Sequence, residues 1–211
     1  MENFELNYEE LDNKLIKNRE LEKYIQFKLG KENFTLEDLN LITEIFLTSK
    51  TFSGELNLVL FEEITLFKNL EKIRFDNLGI TPNVIEIISN SNAKNISFEN
   101  CEIIDFNGLE NIETLNISNC EIEDFSTISN LNNLKKLYFC FMTQKQLATL
   151  PSLENLEFLS IIGIDNFSIE DILKFKNLKY LSIGKQDLEQ FKSILENTNL
   201  EIIIEDSYDE L

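Results

Sequence analysis

The phrase L-x-x-L-x-L, with Ile, Phe or Ala standing in for Leu, recurs along almost the whole chain. It is found at Ile42-Ile45-Leu47, Leu70-Ile73-Phe75, Ala93-Ile96-Phe98, Ile112-Leu115-Ile117, Leu134-Leu137-Phe139, Leu156-Leu159-Ile161, Leu178-Leu181-Ile183 and, less fully, Leu200-Ile203. The middle residues fall at 45, 73, 96, 115, 137, 159, 181 and 203, so the copies are 28, 23, 19 and then four times 22 residues apart. One such phrase can occur in any amphipathic segment, but seven or eight in register mean that one structural unit is repeated. No unit can then bury its apolar side except against its neighbours. Within each copy the x-L-x-L stretch alternates sides as a short strand does, apolar residues inward and their neighbours outward. The expected class is α/β: stacked strands form one curved parallel sheet, and the segments between them return along the convex side.

Several returns carry helix signals. Thr81-Pro82 places an N-cap before Pro at the first helical position of PNVIEIIS. Ser168-Ile169-Glu170-Asp171 is a capping-box-like start, and Asp187 to Glu196 spaces Leu188, Phe191, Ile194 and Leu195 for a helix. The returns after Cys120 and Met142 stay open, as does Leu56 to Phe61, which suits either a convex strand or an inserted bulge. At the front, Leu11, Leu15, Leu21, Tyr24, Ile25 and Leu29 are spaced for a helix that Gly30 would stop. Residues 1–33 are therefore expected to form an N-terminal helical cap, and residues 34–211 one solenoid of about seven or eight coils.

From about Phe34 onward the chain resembles the leucine-rich repeat proteins. In its fullest copy, Ile112 to Leu131, the pattern runs on through Cys120, Ile122, Phe125, Ile128 and Leu131; this 22-residue form is similar to the bacterial internalin-like and SDS22-like repeats. Thr35 to Leu39 likewise resembles the capped helix that leads into the first strand of many bacterial members. The resemblance implies a leucine-rich repeat solenoid. It also implies an inward Asn after each strand, bonding the backbone of adjacent coils. Here those places hold Leu78, Cys101, Cys120, Met142, Ile164 and Gln186, so the ladder is expected to be missing.

Charge narrows the partners. With 38 acidic against 19 basic residues the formal charge is −19, which repels phosphate backbones and anionic lipid headgroups, so neither nucleic acid nor membrane is expected as a partner. The start MENFELNYEELDNK lacks the basic and apolar regions of a secretory signal, and no apolar run has membrane-spanning length, which points to the cytoplasm. An odd count of 3 cysteines fits a reducing compartment. Without a signal peptide, the retention-like tail Tyr208 to Leu211 and the sequons at Asn33, Asn95, Asn116 and Asn166 are accidents of composition.

Little in the chain suggests chemistry. Cys101 and Cys120 sit in the near-copies FENCEI and ISNCEI, and read first as two equivalent inward turns, with a redox-formed disulfide or a metal site as alternatives. Zinc takes about four ligands, whereas the chain has no His and one further Cys, Cys140, which falls on an outward position and is expected to be accessible. Lack of His also removes the commonest general base. Acidic pairs such as Glu62-Glu63 and Glu123-Asp124 read as solvated faces, and no phosphate-binding glycine motif occurs. No catalytic residue, metal or cofactor is expected.

The outward strand residues carry the functional expectation. They run from Glu44 and Phe46, through Lys72 and Arg74, to Ile202 and Ile204; early copies are charged or small, while later ones gather Tyr138, Phe158 and Tyr180. Aromatic side chains offer large contact area at low entropic cost and dominate binding hot spots. The expected partner-binding residues are Lys136, Tyr138, Phe158, Ser160 and Tyr180, with Phe141 and Ile162 extending the patch. The reading is a bacterial, non-enzymatic module that binds a protein partner on its concave face. The alternatives are an acidic inhibitor or immunity-type protein that engages a basic toxin or enzyme, or a host-interacting adhesin if the protein is secreted.

Overall fold

The computed structural model describes residues 15–49, 63–163, 169–185 and 198–205. The repeat period becomes a parallel sheet of eight strands: β1 (Glu44–Thr48), β2 (Lys72–Asp76), β4 (Asn95–Glu99), β6 (Thr114–Ser118), β8 (Lys136–Cys140), β9 (Phe158–Ile162), β10 (Tyr180–Gly184) and β11 (Glu201–Glu205), in that spatial order. From β1 to β10 the two inward residues of each strand are at most 1% exposed, from Ile45 and Leu47 through Leu137 and Phe139 to Leu181 and Ile183. In each of these strands the two inward residues are separated by one outward residue, and their burial fixes the register. Phenylalanines continue the core from coil to coil: Phe75 stacks on Phe98 at 5.4 Å and Phe125 on Phe139 at 5.7 Å.

The last strand departs from expectation. Ile202, not Ile203, lies opposite Leu181, and Ile203 lies opposite Ser182, so the final step is 21 residues and Glu201 and Ile203 face outward. The run EIIIE has no alternation to set its own register. In the observed one, Ser182 Oγ donates to Glu205 Oε1 at 2.9 Å.

Convex returns vary from coil to coil. After β2 comes the two-residue strand β3 (Gly79–Ile80) and then helix Pro82–Ser89, whose N-cap Thr81 is extended but makes no side-chain cap bond. Two further short strands, β5 (Glu102–Ile103) and β7 (Glu121–Ile122), pair with β3 into a second parallel sheet that the sequence pattern did not suggest. Cys120 is followed by a 3-10 helix, Phe125–Asn130, and Met142 by helix Gln144–Thr149, which opens with a Thr143/Gln146 capping box. A short helix spans Ile169–Leu173. Leu56 to Phe61, Ser168 and the helix expected over Asp187 to Glu196 lie outside the described residues.

At the front, helix Arg19–Leu29 starts at Asn18, whose side chain accepts from the Glu20 and Leu21 N–H groups, and stops at Gly30 with φ 65°. Leu21 and Ile25 are fully buried. Tyr24 Oη donates to Glu44 O at 3.4 Å and accepts from Phe46 N–H at 3.2 Å, so the helix satisfies backbone groups of β1, the first strand of the sheet. Thr35 and Asp38 form the capping box of the next helix, Leu36–Leu39. The expected helical residues before 15 lie outside the described region.

Two asparagine ladders tie the coils, where none was expected. The first immediately precedes the repeat phrase: the side-chain amides of Asn69, Asn92, Asn133, Asn155 and Asn177 donate to the carbonyls of Asn40, Lys68, Glu110, Asn132 and Glu154 at 2.6 to 2.9 Å. The second stands one residue before the place the resemblance implied. Asn77, Asn100 and Asn119 adopt φ of 56, 52 and 51°, a left-handed geometry that Asn tolerates better than most residues. Their amides reach Ser49 Oγ, Asp76 Oδ1 and Asn100 Oδ1 at 2.8 to 2.9 Å. In the next coil the same place is taken by Phe141, also left-handed at φ 54°. Its ring lies over Gly163, where φ is 68° and a Cβ would come within 2.6 Å of Phe141 Cδ1, so a larger residue there would be strained and would displace the ring.

Candidate functional site on the concave face

Strand pairing arranges the outward side chains in rows across the sheet. One row reads Glu44, Lys72, Asn95, Thr114, Lys136, Phe158, Tyr180, Glu201, and the next reads Phe46, Arg74, Ser97, Asn116, Tyr138, Ser160, Ser182, Ile203. Adjacent members are one strand spacing apart, about 4.8 Å.

The front of these rows is occupied with itself. Arg74 pairs with Glu99 at 3.0 Å and its guanidinium lies 5.1 Å from the centre of the Phe46 ring, while Lys72 sits 3.6 Å from Glu44. Ser97 Oγ adds a 3.3 Å bond to Glu99. In the middle, Asn95, Ser97, Thr114 and Asn116 floor a depression of about 370 Å³ whose walls include Lys72, Lys136 and Tyr138.

At the rear the expected aromatic group does come together. Tyr138 and Phe158 ring centres are 5.1 Å apart, and Tyr180 is directly opposite Phe158 in the adjacent strand. Tyr180 is 37% exposed, whereas Tyr138 and Phe158 are half-buried. Burial and the nearby Glu205 carboxylate push the Tyr138 phenol above its ordinary value, so it stays a neutral donor. Lys136 is exposed in the Phe158 row and has no ion-pair partner among the described residues. Ser160 and Ser182, by contrast, are fully buried. They are small residues between which larger rings find room, and Ser160 offers no contact surface of its own. Ile162 is likewise fully buried, while Phe141 is 45% exposed at the rim.

No family model and no curated protein sequence matches the chain. Solved structures do. Internalin C2 from Listeria monocytogenes superposes with a TM-score of 0.53 at 19% identity, over 92% of this chain and 88% of that one. Internalin F from the same organism gives 0.51 at 16% identity over 90% of this chain and 56% of that one, so the chain spans about half the length of internalin F. TLR13, in a TLR13-ssRNA13 complex, gives 0.54 at 19% identity over 72% of this chain and 24% of its own. All three are leucine-rich repeat proteins, and the eight-stranded parallel sheet of this chain fits that fold. This is a leucine-rich repeat fold.

Within the leucine-rich repeat the three cysteines are buried and none is in a disulfide. Cys101 and Cys120 occupy equivalent turns, and the Cys120 Sγ lies 3.3 Å from both Phe98 O and Ser118 O, two acceptors for its one proton. The hydrogen bond it shares with Cys101, together with burial, keeps Cys120 protonated. Cys140 corrects an expectation: it sits on an outward position yet is 2% exposed, and burial pushes its thiol up to about 12. Among the described residues no group of three His, Cys, Asp or Glu side chains could hold a metal ion. No described helix is long and apolar enough to cross a membrane. On the convex side a groove of about 330 Å³ between β3, β5 and β7 carries Glu102, Glu121 and Glu123 and no basic residue.

Proposed function

We propose that this leucine-rich repeat protein is a non-enzymatic protein-binding module whose partner sits on the rear half of the concave face. Tyr138, Phe158 and Tyr180 are its anchors, Lys136 is a polar contact beside them, and Ser160 lies beneath and shapes the patch. The observation that carries this reading is the contrast in pairing. Front charges are engaged with one another, while the rear rings form a contiguous apolar surface beside an unpaired lysine. Such a surface fits the aromatic-rich composition of interface hot spots. Residues 1–33 act as the front cap and residues 34–211 as one solenoid, a division supported by the burial of Leu21 and Ile25 and by the Tyr24 bonds to β1. We place the protein in the cytoplasm, where its three free thiols would persist.

The test is affinity capture from the source cell with the parent and with the Tyr138→Ala/Phe158→Ala/Tyr180→Ala variant, after confirming that both fold alike. Loss of the captured partner is expected from the variant; retention of every partner sinks the site. A second reading, an acidic inhibitor or immunity-type protein for a basic toxin or enzyme, is favoured by the convex groove, whose charged lining residues are all carboxylates, Glu102, Glu121 and Glu123. In that case capture would survive the triple alanine change and fall sharply with added salt.

A further inference from the structure

The middle of the concave face carries charge opposite to that of the whole chain. Two adjoining depressions in its middle, one over Asn95 and Thr114 and one below them at the rim, are lined by Lys72, Lys94, Lys135 and Lys136 against Glu71 and Glu113. Glu113 is engaged by Lys135 at 2.8 Å, and Lys72 leans towards Glu44. Lys94 and Lys136 are exposed and have no ion-pair partner among the described residues. Lys94 still feels the Glu113 carboxylate, whereas Lys136 does not have even that among the described residues, so a protein of net charge −19 presents exposed ammonium groups beside its aromatic patch. Uncompensated charge at the edge of an apolar surface selects partners by sign more than it adds affinity.

We propose that the segment of the partner seated here is acidic, its carboxylates on Lys94 and Lys136 and its adjoining apolar side chains on Tyr138, Phe158 and Tyr180. This rests on the reading of the aromatic patch as the anchor surface. Lys136, Phe158 and Tyr180 occupy successive places in one row, about 4.8 Å apart. A segment running across the strands therefore meets a cation first and two rings after it. Asn95 and Thr114, at the front of that row, add polar groups for the segment's backbone. A nucleic acid also combines anions with stacking faces, but it carries a charge at every nucleotide, and two free lysines do not offset the repulsion from an overall −19. A short acidic segment brings few charges and places them only where the lysines stand.

The experiment is selection of a random peptide display library on the full chain, followed by fluorescence polarisation with the enriched peptides. Parent, Lys94→Glu/Lys136→Glu, Lys94→Met/Lys136→Met and the triple alanine variant are compared, each checked for parental melting. Enriched peptides are expected to carry Asp or Glu next to aromatic or aliphatic residues. Their binding should weaken about tenfold or more with the reversed charges, less with Met, and decline as salt is raised. Enrichment of basic or uncharged peptides, indifference to the lysine changes, no enrichment, or displacement of the peptide by a short poly-uridine oligonucleotide overturns the proposal. If the peptides respond to the alanine variant but ignore the lysines, the anchor surface stands and only its acidic occupant falls. If they ignore both, both readings fall.

Discussion

The front and rear halves of the concave face share a backbone plan and a core, yet use their outward positions differently. In front, Arg74 reaches Glu99 and covers Phe46, and Lys72 leans on Glu44, so these side chains brace one another. At the rear, Tyr138, Phe158 and Tyr180 lie beside buried serines and keep part of each ring in solvent. Identical strand geometry therefore leaves the choice between braced charges and part-exposed rings to two or three outward residues per coil. Repeat architectures allow this because the inward residues alone hold the stack.

The sharpest test of the shared core is a charge in each half. Leu137→Asp and Ile73→Asp each bury an unpaired carboxylate at a fully enclosed position and should cost about 3 to 5 kcal/mol, read as lost or much earlier cooperative melting by circular dichroism. If one half tolerates the change, the two do not share one core. The next test separates bracing from binding. Arg74→Ala removes an ion pair and a stacking contact and should lower stability by about 1 to 2 kcal/mol, whereas Tyr180→Ala should cost less than about 1 kcal/mol in denaturant unfolding while abolishing partner capture. Reversal of that order would remove the distinction between the halves.

Phe141→Asn replaces an aromatic residue in left-handed geometry by the residue found there in three preceding coils. Relief of backbone strain should raise stability by about 1 kcal/mol, measured as a higher unfolding midpoint. The smallest effect concerns the front alone. Glu63 is buried, its carboxylate accepting backbone N–H groups of Lys17 and Asn18, and burial lifts its pKa above the ordinary 4.5. A raised carboxyl pKa favours the fold most below the unfolded value, and that advantage is lost as pH rises through the folded value. Glu63→Gln keeps an acceptor without the charge. It should melt above the parent at neutral pH, with the gap closing as pH falls below the carboxylate range.

Much of this was legible in the sequence. The recurring L-x-x-L-x-L phrase identified seven strands and the rear aromatic cluster, because burying one face of a short strand leaves no freedom of register. The eighth strand slipped by one residue because three isoleucines in succession satisfy either register equally. Asn69, Asn92, Asn133, Asn155 and Asn177 stand in plain view before each phrase, and Asn111 and Asn199 repeat the place. That ladder was missed because asparagine was sought after the strand, as the resemblance implied. Burial of Cys140 and Ser160 was not readable from alternation, since exposure on a sheet face depends on how the neighbouring rows lean over it. The two-residue convex strands are too short to leave any periodicity.

The first asparagine ladder has a consequence for how such a molecule can change length. Each amide reaches backward to a carbonyl of the preceding coil, and so a coil carries its own fastener and leaves behind the acceptor that its successor needs. Duplication of the 22 residues from Thr114 to Lys135, which precede the aromatic strands, would keep every join intact and shift the aromatic patch along the solenoid by one strand spacing without altering the patch itself.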